Sequence, residues 1–258
     1  MEQKQVVIKN VLINYYVDEN QGADTNLLFL HGWRSEGKIW NTIVESIKTT
    51  LPNFALNFYL IDLPGFGKSQ VPDHALTLEN YASFVEEFIY KLKLKNIILI
   101  GHSHGGETSI NIASTNPEWL KKLVIVDSSG IRSDNKDIKT KNLVAKVVKP
   151  LFKPKFMQPL RKRIYKSMGA EDYLETPYLR DTFLNLIKYE VYNDLPKIKV
   201  PTLLIWGEDD MDTPVENGKL MHDNIKDSRF IVLQNAGHFS FLDQKLEFVE
   251  ALLAFIQE

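Results

Sequence analysis

The chain contains no cysteine. Disulfides, thiol nucleophiles and thiolate metal sites are therefore excluded, and several enzyme classes go with them. Long apolar runs are also missing: no segment approaches the roughly eighteen uninterrupted apolar residues of a membrane span. The N-terminal stretch "MEQKQVVIKNVLINYYV" has no basic start followed by an apolar run and a small-residue cleavage site. The expectation is a soluble protein with no integral membrane segment, cytoplasmic by default. An excess of one charge is lacking too. The formal net charge is −2, which gives no global reason to expect a nucleic-acid partner.

What the sequence does have is core-forming material. Its 258 residues are 44% hydrophobic and 25% charged, enough for one large α/β domain or two small ones. The alternation in "VLINYYV" predicts an early antiparallel strand. "NLLFL", "FYLID", "NIILI", "KLVIVD", "TLLIWG" and "RFIVLQ" are short, continuous apolar runs, the pattern of strands buried on both faces. Between them lie helical patterns. In "LTLENYASFVEEFIYKL", Leu78, Tyr81, Ala82, Val85, Phe88, Ile89 and Leu92 recur at three- and four-residue steps behind Thr77 as a cap. "ETSINIASTNP" predicts another helix, stopped at Pro117. Strands alternating with helices predict a doubly wound, mostly parallel sheet with right-handed crossovers.

One interval breaks the rhythm. The 71 residues from Ser128 to Ile198 separate "KLVIVD" from "TLLIWG", far more than a crossover needs. Pro150, Pro154, Pro159 and Pro177 interrupt its helix-like content, so several short helices are expected. The expected organisation is a core of residues 1–127 and 199–258 with a helical lid over 128–198. Such an insertion leaves the carboxyl end of a strand, the edge where open α/β sheets bind ligands. From Arg132 to Lys166 it carries twelve Lys or Arg against Asp134 and Asp137, a local net of +10 that leaves −12 for the rest. A solvated helical face is the favoured explanation of that charge, ahead of steering of anionic substrates or membrane attraction.

The densest signal is "GHSHGG", residues 101–106, between the strand run "NIILI" and a helix. Gly101-His102-Ser103-His104-Gly105 has the Gly-x-Ser-x-Gly form in the strand-to-helix setting that the form requires. The glycines follow from sterics, because side chains at 101 and 105 would collide with the adjoining strand or helix at a strained turn. The turn lifts the Ser103 hydroxyl out of the sheet. The amide of His104 opens the helix as an unsatisfied donor at its positive end, suited to an oxyanion.

A lone Gly-x-Ser-x-Gly is shared by many glycine-rich turns, but here it has company in a fixed order. "LHGW" (30–33) and "DLPGFGKS" (62–69) precede it, and the long insertion, "WGEDDMDTP" (206–214) and "NAGHFSF" (235–241) follow. In this order and spacing the chain resembles the α/β-hydrolase family over nearly its whole length. The resemblance implies a triad in the chain order serine, acid, histidine, supplied here by Ser103, Asp210 and His238. It also implies a second oxyanion donor, the backbone amide of Trp33 in "HGW", alongside that of His104. Trp33, His104 and Phe239 are the expected substrate-contacting side chains. Independently of family, a serine hydroxyl needs a neutral imidazole to take its proton, and the resulting imidazolium needs a carboxylate on its other nitrogen.

Competing readings attach to several of these residues. Asp127 ends the strand after the elbow helix, a place from which some α/β-hydrolases supply the acid. It is the alternative acid, otherwise expected only to end a strand at the lid junction. His31 is expected to be structural. A metal site among His31, His102, His104 and His238 lacks a ligand motif, and no metal or cofactor is expected. Asp62 reads as the organiser of a turn, since its loop lacks the ending of a phosphate-binding motif. Two positions depart from the usual family pattern: His104, where a non-titrating residue is commoner, and Glu107, where a small or apolar one is typical. Glu107 would oppose anionic substrates if it reached the pocket.

The resemblance implies a lidded serine hydrolase, in first place a carboxylesterase acting on small or medium acyl esters through an acyl-enzyme. Its partner would be a small ester-like molecule. The same constellation serves thioesters, amides, lactones and carbon–carbon hydrolysis, and a ligand-sensing receptor with a retained triad is the alternative of another class.

Overall fold

The computed structural model describes residues 1–51, 55–131 and 176–258. Eight strands form one sheet: β1 (Glu2–Ile8), β2 (Val11–Asp18), β3 (Thr25–Leu30), β4 (Leu56–Ile61), β5 (Ile97–His102), β6 (Leu120–Val126), β7 (Thr202–Gly207) and β8 (Ser228–Leu233). Their spatial order is β1-β2-β4-β3-β5-β6-β7-β8. β2 pairs antiparallel with both β1 and β4, and every pairing from β4 to β8 is parallel. The six continuous apolar runs are the six parallel strands. β1 was not expected from the sequence, because "EQKQVVI" is polar for most of its length and exposed on alternate residues, as an edge strand can be.

β3 to β7 read as apolar runs because each side has its own layer to face; β8, at the sheet edge, exposes Arg229 and Val232 and is not buried on both faces as its run suggested. Leu28, Leu30, Leu99, Leu123, Ile125 and Leu204 point to one core, with Tyr81, Val85, Phe88 and Ile89 of α2 (Leu78–Leu92) and Ile110 of α3 (His104–Ser114). The residues between them, Leu27, Phe29, Ile98, Ile100, Val124 and Ile205, point to the other. That second core is closed by Ile43, Val44 and Ile47 of α1 (Asn41–Thr50) and by Phe248 and Leu252 near the C-terminus.

The order of the strands places the candidate site. The chain leaves β3 toward β4 on one side and β5 toward β6 on the other, so β3 and β5 are neighbours at the point where the winding reverses. Ligands bind outside the carboxyl ends of strands at such a point. The register sets Leu30 opposite Gly101, which brings the residues after β3, His31 to Trp33, beside Ser103.

Of the expected lid, residues 132–175, including the basic stretch Arg132–Lys166, lie outside the described residues. The parts described are 128–131 and 176–198, and the latter contains α4 (Arg180–Leu186) and short 3-10 turns at Pro177–Leu179, Val191–Asn193 and Leu195–Lys197. It is tied to the core. The Val191 amide donates to Gly130 O at 3.0 Å, the Leu76 amide donates to Thr182 Oγ1 at 3.0 Å, and Asn111 Nδ2 donates to the Tyr189 hydroxyl at 2.9 Å.

α2 starts where the sequence placed its cap. Thr77 Oγ1 accepts from the Asn80 amide at 3.3 Å and the Thr77 amide donates to Asn80 Oδ1 at 3.0 Å, a reciprocal capping box. Replacing Thr77 with Ala should therefore cost about 1 kcal/mol and lower Tm by about 2–4 °C, while Thr77→Ser keeps most of the stability. Thermal unfolding of the two variants checks this, and equal Tm values for Ala and Ser would refute the cap.

Candidate active site

Ser103 sits between β5 and α3 with φ 51° and ψ −115°, a backbone conformation that L-residues other than glycine rarely adopt. Its neighbours make room for it. A Cβ on Gly101 would lie 2.3 Å from Gly105 O, and one on Gly105 would lie 2.6 Å from Leu30 O. The Ser103 amide donates to Val126 O at 3.0 Å, and Ser103 O accepts from the Gly106 and Glu107 amides at 2.9 and 3.1 Å. The first bond fixes the turn against β6 and the other two start the helix. His104 is thus the first helical residue, and its amide stands ahead of the helix ladder. Among the described residues, the Trp33 amide makes no hydrogen bond. Both donors are free to face an oxyanion.

Asp210 and His238 come together. They emerge beyond the ends of β7 and β8, which pair in parallel up to Gly207 opposite Leu233. His238 Nδ1 donates to Asp210 Oδ2 at 2.9 Å, with the carboxylate wholly buried and the imidazole 15% exposed. Asp210 is held in turn. Its Oδ1 accepts from the amides of Asp212 and Thr213, each at 2.9 Å, and its Oδ2 accepts from Thr213 Oγ1 at 2.7 Å. Burial works to raise the Asp210 carboxyl, yet the His238 bond and charge and the Thr213 donors outweigh it and hold it below the ordinary value. Burial likewise works to lower His238, and the hydrogen bond and charge of Asp210 outweigh it, leaving the imidazole above its ordinary value.

Ser103 Oγ makes no hydrogen bond among the described residues. Its closest tie to His238 runs through His102, whose Nε2–H donates to the His238 carbonyl at 2.7 Å. That bond fixes the His102 tautomer and leaves its buried Nδ1 without a partner. Burial, with the His238 charge, pushes His102 down to about 3, so it serves as a neutral donor. The His102 ring packs against His238 at 4.8 Å and Phe239 at 5.1 Å.

Asp127, the alternative acid, is committed elsewhere. Its Oδ1 accepts from the Gly207 amide at 2.8 Å, and its Oδ2 accepts from the amide and hydroxyl of Ser240 at 3.1 and 2.6 Å. Gly207 lies three residues before Asp210 and Ser240 two after His238. The carboxylate therefore ties the acid-bearing loop to the histidine-bearing loop, which is more than ending a strand. Burial pushes its carboxyl up to about 7 against these donors.

The remaining sequence candidates divide cleanly. His31 is structural: Nδ1–H donates to Gly32 O at 2.7 Å, Nε2 accepts from the Leu63 amide at 3.0 Å, and burial pushes it down to about 4. Asp62 organises its turn, accepting from Gly37 N at 2.7 Å, Asn14 Nδ2 at 2.8 Å and Lys68 N at 2.9 Å. A cavity of about 210 Å³ opens beside Ser103, walled by Trp33, His104, Glu107, Ser129, Phe183 and Tyr189 among others. Glu107 does reach it, and accepts from His104 Nδ1 at 2.8 Å. Phe239 is 41% exposed and is not among the described residues that line this cavity; its ring lies against His102 and His238 instead. Sequence reasoning missed Thr213 and Ser240, polar residues whose roles depend on which carboxylate they face. It also missed Ser129, Phe183 and Tyr189, brought to the site only by the fold of the insertion.

Among the described residues, Asp210, Asp212 and His238 are a group whose potential ligand atoms lie within 4.8 Å of one another. His238 Nδ1 and Asp210 Oδ2 are already bonded to each other, so a cation that used those two atoms would have to displace that bond.

The Asp127 tie generates a test. The Asp127→Asn substitution would turn an amide N–H toward the Ser240 N–H, so it should lower Tm, by several degrees at pH 5. A carboxyl near 7 in the folded chain and near 3.9 in the unfolded one holds its proton more tightly when folded. Its stabilisation therefore falls as pH rises between those values, and the Tm gap to Asp127→Asn should narrow from pH 5 to 8. Calorimetry at both pH values decides it: a gap that widens would mean that the three donors outweigh burial.

A family model described as "Alpha/beta hydrolase family" matches residues 27–251. The chain is 30% identical over 258 aligned residues to a pimeloyl-[acyl-carrier protein] methyl ester esterase of Wigglesworthia glossinidia brevipalpis, covering 92% of this chain and 95% of that one. It is 24% identical to a 2-hydroxy-6-oxononadienedioate/2-hydroxy-6-oxononatrienedioate hydrolase of a Pseudomonas species, covering 93% of this chain and 91% of that one. Among solved structures, an esterase from Exiguobacterium antarcticum superposes with a TM-score of 0.74 at 24% identity, over 100% of both chains. With a family model spanning most of its length and eight strands in the order described, the chain belongs to the α/β-hydrolase family.

Proposed function

We propose that the protein is a serine hydrolase that cleaves carboxylic esters of small acyl groups through an acyl-enzyme. The observation that carries this reading is the 2.9 Å bond between His238 and the buried Asp210, at the same sheet edge as a serine in a strained elbow. A hydrogen-bonded acid–imidazole pair and a half-buried serine hydroxyl at one sheet edge are what acyl transfer needs. The relatives named as a methyl ester esterase and an esterase point to the same bond type.

In this reading Ser103 Oγ attacks the ester carbonyl carbon while His238 Nε2 takes the hydroxyl proton. The carbonyl oxygen becomes an oxyanion, held by the amides of Trp33 and His104. Asp210 keeps the Nδ1–H tautomer in place and stabilises the imidazolium. The tetrahedral intermediate collapses, His238 returns the proton to the leaving alcohol, and the acyl group stays on Ser103. Water then attacks the acyl-enzyme by the same steps, releasing the acid. Ser103 and His238 make no direct hydrogen bond, and catalytic hydrogen bonds commonly tighten only when substrate is bound. Residues 128–198 act as a lid on this reading, supported by the six cavity residues that their described part supplies: Ser129, Gly130, Phe183, Leu186, Ile187 and Tyr189.

A fluorophosphonate should label Ser103 alone and stoichiometrically, as read by mass spectrometry; equal labelling of Ser103→Ala would refute the assignment. Asp210→Asn should lower kcat by about 10³- to 10⁴-fold with little change in KM, because the lost interaction belongs to the transition state. Asp127→Asn should cost only about tenfold, a loss of positioning.

The pH dependence has a definite sign. The base works only as neutral imidazole, and Asp210 raises His238 above its ordinary value of about 6.5. Activity should rise with pH along an acid limb whose midpoint lies above about 6.5, and that midpoint should drop in Asp210→Asn. A kcat/KM that is flat from about pH 5 to 8 would contradict histidine base catalysis.

A further inference from the structure

His102 is a buried titratable side chain at the site to which the catalytic scheme gives no task. It is the last residue of β5, in register with Val126, and it is 1% exposed. In the chain it stands next to Ser103. Its side chain reaches the loop that carries His238.

That loop is pinned at several points. The Asp209 amide donates to Ala236 O at 2.8 Å, the Gly237 amide donates to Asp243 Oδ2 at 2.9 Å, and the amide and hydroxyl of Ser240 donate to Asp127. None of these bonds reaches the strand before the nucleophile. The His238 carbonyl accepts no backbone amide among the described residues; its partner is His102 Nε2, at 2.7 Å. A carbonyl only accepts, so the proton is on Nε2. Among the described residues this is the only hydrogen bond that joins residues 236–240 to β5 or Ser103.

The His102 ring also packs among aromatics, with Phe239 and Phe241 each at 5.1 Å and Trp40 at 6.4 Å. Packing alone asks for a phenylalanine. The imidazole brings instead a buried Nδ1 with no hydrogen-bond partner, which is unfavourable, so its contribution over an apolar ring is the Nε2–H donor. The ring is confined from the oxyanion side as well. A Cβ on Gly32 would lie 2.9 Å from His102 Nδ1 and 3.1 Å from Ser103 Cβ, so the loop that leads to Trp33 closes on the same ring. As a neutral donor, His102 adds no repulsion to an imidazolium formed on His238, whose ring centre is 4.8 Å away.

We propose that His102 is a positioning residue: by donating from Nε2 to the His238 carbonyl, it fixes the base loop against the end of β5 and sets the reach from His238 to the Ser103 hydroxyl. Its effect on rate rests on the serine hydrolase reading, whereas its anchoring of the loop does not.

Three substitutions separate the donor from the ring. His102→Phe keeps the aromatic shape without the donor, His102→Met lacks both, and His102→Gln restores an N–H at a similar reach. Ethanol release from ethyl butanoate is measured for the whole chain, below the Tm of each variant, with a fluorophosphonate counting the active sites. His102→Phe and His102→Met should lower kcat by about 10- to 100-fold and change KM by less than about threefold, as a misplaced catalytic group does. His102→Gln should keep kcat within about fivefold of the wild type. Nitrogen-15 relaxation of the His238 and Phe239 amides should show added motion in His102→Phe and His102→Met alone. If His102→Phe does not fold, the Met and Gln variants, alike in length and different in the donor, decide the comparison. Wild-type kcat without the donor, a Gln variant as slow as the Phe variant, or a lost kcat with both amides as ordered as in the wild type overturns the proposal and leaves the hydrolase reading intact. No turnover by the wild type, with Ser103 unlabelled, overturns the hydrolase reading. Relaxation then decides the anchoring by itself: added motion only where the donor is missing supports it, and equal order in every variant refutes it.

Discussion

The site depends on one steric constraint, the close approach of α3 to β3 and β5. Ser103 can adopt φ 51° and ψ −115° only because residues 101 and 105 carry no Cβ. With Gly105 almost touching Leu30 O, the first turn of α3 lies directly over the end of β3. The loop after β3 that carries Trp33 is thereby brought beside the first turn of α3, which His104 opens. A Cβ at Gly101 or Gly105 would force backbone to move, since the atoms it would strike at 2.3 and 2.6 Å are backbone oxygens. The elbow cannot relax without moving the sheet.

A second constraint is electrostatic. Asp210 and Asp127 are both buried at this edge, and each raises the cost of ionising the other group nearby. The chain separates their tasks by giving them different donors. Asp210 receives the His238 imidazole and the Thr213 hydroxyl, and its carboxyl is held low; Asp127 receives backbone amides and the Ser240 hydroxyl, and its carboxyl is pushed up. Thr213 links the two, since its hydroxyl also lies 3.0 Å from Asp127 O. A charged residue in each place has a structural reason, but only one of them touches the imidazole.

Most of this was legible where local chemistry is obligatory. The inner parallel strands are visible because both their faces are buried, which keeps their runs apolar; β8 is apolar in sequence although it is partly exposed at the sheet edge. The cap at Thr77 is visible because Thr before an apolar periodicity has few other uses. β1 was not legible: an edge strand with alternate residues exposed carries little periodic signal in "EQKQVVI". The triad candidates follow from motif order, and the Asp210–His238 bond joins two of them. Asp127 was underestimated because its importance lies in partners far along the chain, Gly207 and Ser240, which no spacing rule brings together. Phe239 is a related case. Sequence puts it beside His238, but only the fold shows that its ring turns back onto His102.

The departures from the family pattern carry the remaining argument. A scaffold of this kind needs backbone from residue 104 and asks nothing of its side chain, so that side chain is free to vary. In this chain it is an imidazole whose Nδ1 is bonded to Glu107 one helical turn on, while its ring edge meets Tyr81 at 4.5 Å and Trp33 at 5.7 Å. These contacts hold the ring rigid, so the orphan Nε2 cannot rotate to find another partner. The proposed mechanism asks only for the amide of residue 104, and a change of the imidazole leaves that amide where α3 puts it.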